Sequence, residues 1–498
     1  LPQCRFMKKR LINVVTLGCS KNLVDSEHLM AQLRRNNFDI IYDSNSTDAK
    51  IVIINTCGFI GDAKEESINT ILGFVRAKEA GEIDHLFVMG CLAERYKKDL
   101  EKEIPEVDQY FGVNDLSKII EQVGGTYRNE LTGERMLTTP AHYASLKISE
   151  GCNWGCGYCA IPLIRGRHVS VPMEQLVAEA EGLARQGVKE LIVIAQDTTY
   201  YGMDLYGERK LGELLHKLCQ IDGIEWIRLH YAYPTHFPEQ VIEVMRDEPK
   251  ICKYLDIPFQ HISDSQLKSM RRGLTKAETY TLIEKLRQEI PDIALRTTLL
   301  TGYPGETEAD FEELLQFVRD IRFERLGVFP YSEEEGTYSA TQLHDDVPEE
   351  VKQQRVDRIM ELQNEISLEN NQKRIGRIER VILDRREGDY WIGRSQYDSP
   401  EVDTEIFIDF SESQNTSDAA VDLDSLKGIT ANSVAEPNHK RSNTSAPQNA
   451  SGTHAASDTT TNPCTLDPDQ LIPGTFLQVK ITEAEDYDLY ATPIGLDA

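Results

Sequence analysis

The chain has 498 residues, of which 40% are apolar and 27% are charged, and its formal net charge at pH 7 is -28. This composition indicates a globular protein of about three domains, and no segment offers the ~20 apolar residues that a membrane span needs. The acidic charge disfavours direct nucleic-acid binding, and it either favours a basic protein partner or serves solubility alone. Ten cysteines without a recognisable secretory leader predict metal or redox chemistry and a cytoplasmic location.

The first region, residues 1–140, repeats an apolar strand that ends in a cysteine and is followed by a helix-like stretch. The three strand ends carry Cys19, Cys57 and Cys91. Strands that alternate with helices predict a parallel, flavodoxin-like or Rossmann-like sheet covered on both faces. Because ligands bind beyond the carboxyl ends of such strands, we expect these three cysteines to lie together.

The second region, residues 141–372, continues with strand and helix units that predict a full or partial (β/α) barrel of the TIM type. Buried strands are expected at 190–195, 226–229, 254–259, 295–300 and 326–329, and amphipathic helices at 173–185, 277–290 and 308–321. The functional face of such a barrel lies at the carboxyl ends of its strands.

A charged helical linker is predicted from residue 348 to about residue 375, and the third region, residues 373–498, predicts a small β-barrel. Its short strands are expected at 379–383, 390–393, 405–410, 476–481 and 488–491. Residues 411–470 contain no Phe, Tyr or Trp and are rich in small polar residues, which predicts a disordered insertion between two barrel strands.

Three cysteines, Cys152, Cys156 and Cys159, lie within eight residues at the start of the second region. This spacing lets one short loop wrap a four-iron four-sulfur cluster, and three ligands leave one iron open for a substrate. A structural zinc site is the alternative, but it requires four protein ligands. A two-cluster electron-transfer protein is a second alternative, although such carriers normally fill every position with cysteine.

The CxxxCxxC spacing, with Tyr158 before the third cysteine, resembles the radical S-adenosylmethionine superfamily. That resemblance implies that the open iron binds S-adenosylmethionine and that its reductive cleavage yields a 5'-deoxyadenosyl radical. Four further segments look like the methylthiotransferases of this superfamily: LGCSKNLVDSE at 17–27, NTCGFI at 55–60, MGCL at 89–92 and IPLIRG at 161–166. The carboxy-terminal barrel is similar to the TRAM module that ends these enzymes.

The methylthiotransferase resemblance assigns a second four-iron four-sulfur cluster to Cys19, Cys57 and Cys91. It also implies that both clusters face one cavity, and that the enzyme needs an electron donor such as flavodoxin or ferredoxin and a source of sulfur. Gln196, Asp197, Gln260 and Arg296, at or near predicted strand ends, are candidate S-adenosylmethionine contacts or, equally, structural polar residues.

Two branches of the methylthiotransferases differ in substrate. One modifies C2 of N6-isopentenyl or threonylcarbamoyl adenosine in tRNA, and the other modifies the β-carbon of an aspartate in ribosomal small-subunit protein twelve. Residues 373–498 carry twice as many acidic as basic residues, which favours a basic protein over RNA. The segments GCSKNLVDSE and NTCGFIGDAKEESI also resemble the ribosomal-protein branch more closely. We therefore expect an aspartate methylthiotransferase.

Overall fold

The computed structural model of the chain describes residues 10–411 and 466–497. Most of the predicted disordered insertion at 411–470 lies outside these residues. Its described end is ordered, which corrects the prediction there: Pro468–Gln470 form a turn of 3-10 helix, and Trp391 Nε1 donates to the Pro468 carbonyl at 3.1 Å. Within the described ranges, no helix is both long and apolar enough to cross a bilayer.

The amino-terminal sheet has five parallel strands in the order β2-β1-β3-β4-β5, as the alternation of strands and helices predicts. Its strands are β1 (Leu11–Thr16), β2 (Asp39–Tyr42), β3 (Ile51–Thr56), β4 (His85–Gly90) and β5 (Gln109–Tyr110). Its helices are α1 (Ser20–Arg35), α2 (Gly61–Glu79), α3 (Cys91–Glu103) and α4 (Leu116–Gln122). Separate apolar cores lie on the two faces, so the central strand β3 is buried throughout.

The central sheet has six parallel strands in the order β13-β12-β11-β10-β9-β6, with a small antiparallel pair, β7 and β8, beside it. These strands are β6 (Tyr143–Lys147), β7 (Ser149–Glu150), β8 (Val169–Ser170), β9 (Glu190–Ile194), β10 (Trp226–Leu229), β11 (Ile251–Asp256), β12 (Ala294–Thr301) and β13 (Arg325–Pro330). The sheet is open, so of the two predicted forms the partial barrel is the one observed. Strand β11 begins three residues earlier than predicted, and Pro258, which lacks an N–H donor, lies beyond its end.

The helices of the central region are α5 (Ile161–Arg165), α6 (Met173–Arg185), α7 (Met203–Tyr206), α8 (Leu211–Cys219), α9 (Glu239–Asp247), α10 (Asp264–Ser269), α11 (Lys276–Glu289), α12 (Glu308–Ile321), α13 (Tyr338–Gln342) and α14 (Glu349–Gln372). Six of them, α6, α8, α9, α11, α12 and α14, pack against the central sheet and bury its largest apolar core. The side chains of Thr275 and Thr307 cap α11 and α12 by accepting from the backbone three residues on, which fixes where these helices begin. Helix α14 leads into the last unit.

The carboxy-terminal unit is a closed five-stranded barrel in the order β14-β15-β16-β18-β17. Its strands are β14 (Ile378–Glu387), β15 (Tyr390–Ser395), β16 (Glu405–Asp409), β17 (Phe476–Ala484) and β18 (Asp488–Leu496). The parallel pairing of β16 with β18 closes the barrel around its own apolar core. Closure leaves no free sheet edge among these five strands.

The barrel lies against the amino ends of the central strands, opposite the end at which the cysteines lie. The segment between β15 and β16 makes two of the contacts: Tyr254 Oη donates to Asp403 at 2.7 Å, and Arg228 Nη1 donates to the Gln396 carbonyl at 2.7 Å. Arg394 of β15 forms a buried ion pair with Glu190, the first residue of β9, at 2.8 Å. Polar contacts, together with an apolar cluster that includes Trp226 and Phe476, therefore hold the closed barrel against the amino ends of the central strands.

We expect Asp398→Asn to weaken the contact between the closed barrel and the central sheet in a pH-dependent way. Burial alone would raise the pKa of Asp398, but Arg374 and Arg325 hold it well below its usual range. Because the pKa of Asp398 is lower in the folded than in the unfolded chain, its carboxylate stabilises the fold at pH values above its unfolded pKa of about 4. This contribution is lost as the pH falls towards the folded pKa. The variant should lose about 3 kcal/mol at neutral pH, the cost of breaking a buried ion pair.

Thermal unfolding of wild type and Asp398→Asn between pH 3 and 8 measures this effect. The difference in melting temperature should be largest near neutral pH and should shrink below about pH 4. Asp222→Asn, on an exposed side chain, is the matched control. A difference that stays constant with pH would contradict the assignment.

Candidate active site

The central cysteine site consists of Cys152, Cys156 and Cys159 on the loop between β7 and α5. All three thiols are free. The loop is held from both sides, since Cys152 N donates to the Gly166 carbonyl at 3.1 Å and Gly157 N donates to the Met270 carbonyl at 2.9 Å. Burial raises the pKa of the Cys152 and Cys159 thiols to about 12, so without a metal both are neutral at pH 7, and a bound metal would favour their thiolate forms.

Aromatic and cationic side chains surround the central cysteine site. Tyr233 Oη lies 3.5 Å from Cys156 Sγ, and the Tyr233 ring stacks on Trp154 with centroids 4.2 Å apart. Arg272 Nη1 donates to Cys156 Sγ at 3.6 Å, and its guanidinium lies over the Tyr233 ring. Trp154 Nε1 in turn donates to Asp197 at 2.6 Å. The buried guanidinium of Arg272 beside Cys156 Sγ favours a negatively charged group at the central cysteine site.

The four residues predicted to contact S-adenosylmethionine occupy three different environments. Gln196 and Asp197 lie beside the central cysteine site, where Gln196 Nε2 donates to Glu150 at 2.7 Å and Gln196 Oε1 is buried without a hydrogen-bond donor. Gln260 adopts a left-handed φ of 72° and pairs with β12 through its backbone. Arg296 lies deeper, between Asp256 at 3.1 Å and Asp403 at 3.6 Å. Their contact with S-adenosylmethionine stays a prediction.

The amino-terminal cysteine site consists of Cys19, Cys57 and Cys91, which follow the ends of β1, β3 and β4. Gly18, at φ 88°, allows the close approach of two strand ends, because a Cβ there would lie 2.9 Å from Cys57 Sγ. Burial raises the pKa of Cys57, and raises that of Cys91 to about 11, and the charges of the neighbouring cysteines act in the same direction. The Gly18 contact therefore brings the chain just before Cys19 against the Cys57 side chain.

Asn22, in the first turn of α1, joins the three strand ends that form the amino-terminal cysteine site. Its Nδ2 donates to the carbonyls of Leu17 at 2.9 Å and Thr56 at 3.1 Å. Its Oδ1 lies 3.6 Å from Cys91 Sγ. One buried amide therefore contacts residues that follow or end β1, β3 and β4.

Arg165, at the end of α5, connects the two cysteine sites. Its Nε donates to Cys91 Sγ at 3.3 Å, and its Nη1 donates to Asp25 at 3.1 Å and to Glu150 at 2.8 Å. Lys147 also forms ion pairs with both carboxylates: its Nζ lies 2.7 Å from Glu150 and is in direct contact with Asp25. Because Glu150 precedes the Cys152 loop by two residues, a single buried ion-pair network lies between the two sites.

The two groups of cysteines fit iron-sulfur clusters better than single metal ions. Among residues 10–411 and 466–497, no three His, Cys, Asp or Glu side chains are placed to share one ion. In a four-iron four-sulfur cluster each cysteine binds a different iron, so its ligands need not converge on one point. Each group offers three free thiols beside a buried guanidinium, Arg272 in one case and Arg165 in the other.

Three family descriptions match the chain. They are the radical SAM superfamily over residues 146–318, the uncharacterized protein family UPF0004 over residues 11–112 and the TRAM domain over residues 375–424. The matches fall on the central sheet, the amino-terminal sheet and the start of the closed barrel, which confirms the predicted fold class. Membership of the radical SAM superfamily implies a four-iron four-sulfur cluster and S-adenosylmethionine.

Curated relatives match over most of the chain. The ribosomal protein uS12 methylthiotransferase RimO of Christiangramia forsetii is 59% identical over 403 residues, which are 81% of this chain and 89% of the relative. Proteins of the same name from Phocaeicola vulgatus and Porphyromonas gingivalis are each 57% identical, over 82% of this chain and 94% of each relative. This chain belongs to the RimO family.

Among solved structures, the radical S-adenosylmethionine methyltransferase TsrM of Kitasatospora setae, with cobalamin and a four-iron four-sulfur cluster bound, matches with a TM-score of 0.50. The match covers 67% of this chain and 74% of TsrM at 14% identity. At this identity the similarity concerns the fold alone.

Proposed function

We propose that the chain is a methylthiotransferase that modifies the β-carbon of an aspartate in ribosomal small-subunit protein uS12. The observation that carries the proposal is the network at Arg165, which links Cys91 of one group of free cysteines to Glu150, two residues before the other group, across the junction of two domains. The RimO relatives, at 56–59% identity, bear the name of this activity. A single cluster site would suffice for hydrogen abstraction, whereas transfer of a methylthio group also requires a place from which sulfur is delivered.

We propose that Cys152, Cys156 and Cys159 hold the cluster that binds S-adenosylmethionine, and that Cys19, Cys57 and Cys91 hold a second four-iron four-sulfur cluster. When bound, these groups would make it possible to remove a hydrogen atom from an unactivated carbon, and they would provide the sulfur that takes its place. The chain orients and encloses them. Gln196 offers its free buried oxygen to an N–H donor, and Arg272 and Arg165 balance negative charge at the two sites.

The proposed reaction also implies partners that the chain itself does not contain. Reductive cleavage of S-adenosylmethionine needs an electron donor, for which flavodoxin or ferredoxin is suitable, and repeated turnover needs a source of sulfur. We propose that the reaction takes place in the cytoplasm, with uS12 as the protein substrate.

Modification of tRNA adenosine is the closest alternative. Its main structural requirement is a basic surface for the phosphate backbone, and the carboxy-terminal barrel is acidic in sequence. In the structure, several of its arginines are paired internally with carboxylates, as at Arg374 with Glu379 and Asp398, and Arg385 with Glu405. These pairs leave fewer basic groups for RNA.

Anaerobic reconstitution followed by mass spectrometry tests the proposed function. The reconstituted protein, with reductant, sulfide and S-adenosylmethionine, should add one methylthio group to the aspartate of a uS12 loop peptide and should leave tRNA unmodified. Modification of tRNA adenosine without modification of the peptide would contradict the substrate. An electron-transfer protein would form neither product nor 5'-deoxyadenosine.

A further inference from the structure

Lys21 lies between the two cysteine sites. It belongs to the first turn of α1, two residues after Cys19, and its Nζ lies over the ring of Tyr231 at 2.9 Å from the centroid. Tyr231 follows the carboxyl end of β10, and two residues further on Tyr233 contacts Cys156. The ammonium group is therefore placed where the amino-terminal sheet meets the open end of the partial barrel.

Lys21 is buried, with only 7% of its surface exposed, yet its ammonium group forms no ion pair or hydrogen bond with any residue in the described parts of the chain. The carboxylates nearby already have cationic partners: Asp25 and Glu150 pair with Lys147 and Arg165. Asp256 pairs with Arg296 and accepts from the Tyr231 amide.

A buried ammonium without a carboxylate partner is costly, and a ring face replaces only part of its lost hydration. Part of this charge is balanced when an anionic cluster occupies the neighbouring amino-terminal cysteine site, which Arg165 also contacts. The ammonium still has no direct partner in the described parts of the chain, and its position favours an anionic ligand group between the two cysteine sites.

We propose that Lys21 binds the side-chain carboxylate of the substrate aspartate and so helps to select aspartate as the residue that is modified. This inference rests on the proposed function, because a methylthio acceptor must lie between the two cysteine sites. A carboxylate bound at Lys21 holds the adjacent β-carbon in the same gap. S-adenosylmethionine also carries a carboxylate, but the open iron of the central cysteine site is its place in this superfamily, whereas Lys21 is anchored beside Cys19.

Binding of labelled uS12 loop peptides, followed by fluorescence anisotropy, tests the inference in the reconstituted protein. One peptide carries the target aspartate and the other carries asparagine at that position. Lys21→Met should weaken binding of the aspartate peptide by about 10- to 100-fold, which is the usual contribution of a charge-assisted hydrogen bond. The variant should bind the asparagine peptide as wild type does, and Lys21→Arg should recover part of the preference for aspartate.

Lys98→Met, at an exposed lysine of α3, is the matched control and should bind both peptides normally. Equal weakening of both peptides by Lys21→Met, or no weakening, would overturn the inference. A rise in the Kd of S-adenosylmethionine with unchanged peptide binding would also overturn it, because Lys21 would then serve the cofactor. If wild type methylthiolates the peptide and Lys21→Met retains full selectivity, only this inference fails; if wild type does not modify the peptide, the proposed function fails.

Discussion

Replacing Cys152 with alanine is expected to reduce S-adenosylmethionine cleavage and methylthio transfer to the level of a protein-free control. The central cysteine site has only three thiols, and the loop that carries them is fixed by backbone hydrogen bonds to Gly166 and Met270. No other free cysteine in the described ranges lies on this loop, so a lost ligand has no substitute there. Chromatography of 5'-deoxyadenosine measures the cleavage directly.

The same variant separates the two proposed clusters. The amino-terminal cysteine site does not share a ligand with the central one, so Cys152→Ala should keep about half of the iron of the reconstituted wild type. Cys219→Ala, at a buried thiol at the end of α8, is the control and should keep both iron and activity. Persistent 5'-deoxyadenosine formation by Cys152→Ala would contradict the role of this site.

Replacing Arg165 with methionine is expected to have the second largest effect. It should lower both the stability of the fold and the coupling, which is the amount of methylthio transfer per S-adenosylmethionine cleaved. In the described parts of the chain, the change leaves Lys147 as the one cation paired with Asp25 and Glu150, and it removes the donor to Cys91. Breaking a buried ion pair in this way costs about 3–5 kcal/mol, which corresponds to a fall in melting temperature of roughly 10 °C. Methylthio transfer should fall further than S-adenosylmethionine cleavage, because the thiol that Arg165 contacts is Cys91 of the amino-terminal site.

Differential scanning calorimetry and the ratio of methylthiolated peptide to 5'-deoxyadenosine report these two effects separately. Electron paramagnetic resonance of the reduced protein should show a changed signal for the amino-terminal cluster, since a cation beside its sulfur is lost. Arg185→Met, on an exposed arginine of α6, should leave all three readouts as in wild type. An Arg165→Met protein with wild-type melting and wild-type coupling would contradict this role.

Much of the fold follows from patterns within the sequence. The helices Met173–Arg185 and Glu308–Ile321 and the strand Trp226–Leu229 have the bounds that apolar periodicity predicts. Strand β6 is not indicated by the sequence, because its five residues, YASLK, include only a few strongly apolar side chains and precede the cysteine motif. Short edge strands of this kind are stabilised by pairing with a neighbour, here β9, rather than by local sequence.

The central cysteines could be predicted from their spacing and the amino-terminal ones from their strand-end positions and the family resemblance, whereas the residues that connect the two groups could not. Arg165 and Cys91 are 74 positions apart, and no local pattern indicates that an arginine in one domain contacts a thiol in another. Asn22 and Lys21 belong to the same motif as Cys19, yet only the folded chain shows that one joins strand ends and the other lies over Tyr231. Arg272 carried no signal in the sequence.

Tandem mass spectrometry of the uS12 loop peptide after incubation with the reconstituted protein tests the central claim most directly. The protein should convert the target aspartate to its β-methylthio derivative, and this product should be absent both with Cys152→Ala and with Cys57→Ala. Formation of the methylthiolated peptide by Cys57→Ala in full yield, or its absence with wild type that cleaves S-adenosylmethionine, would contradict the account.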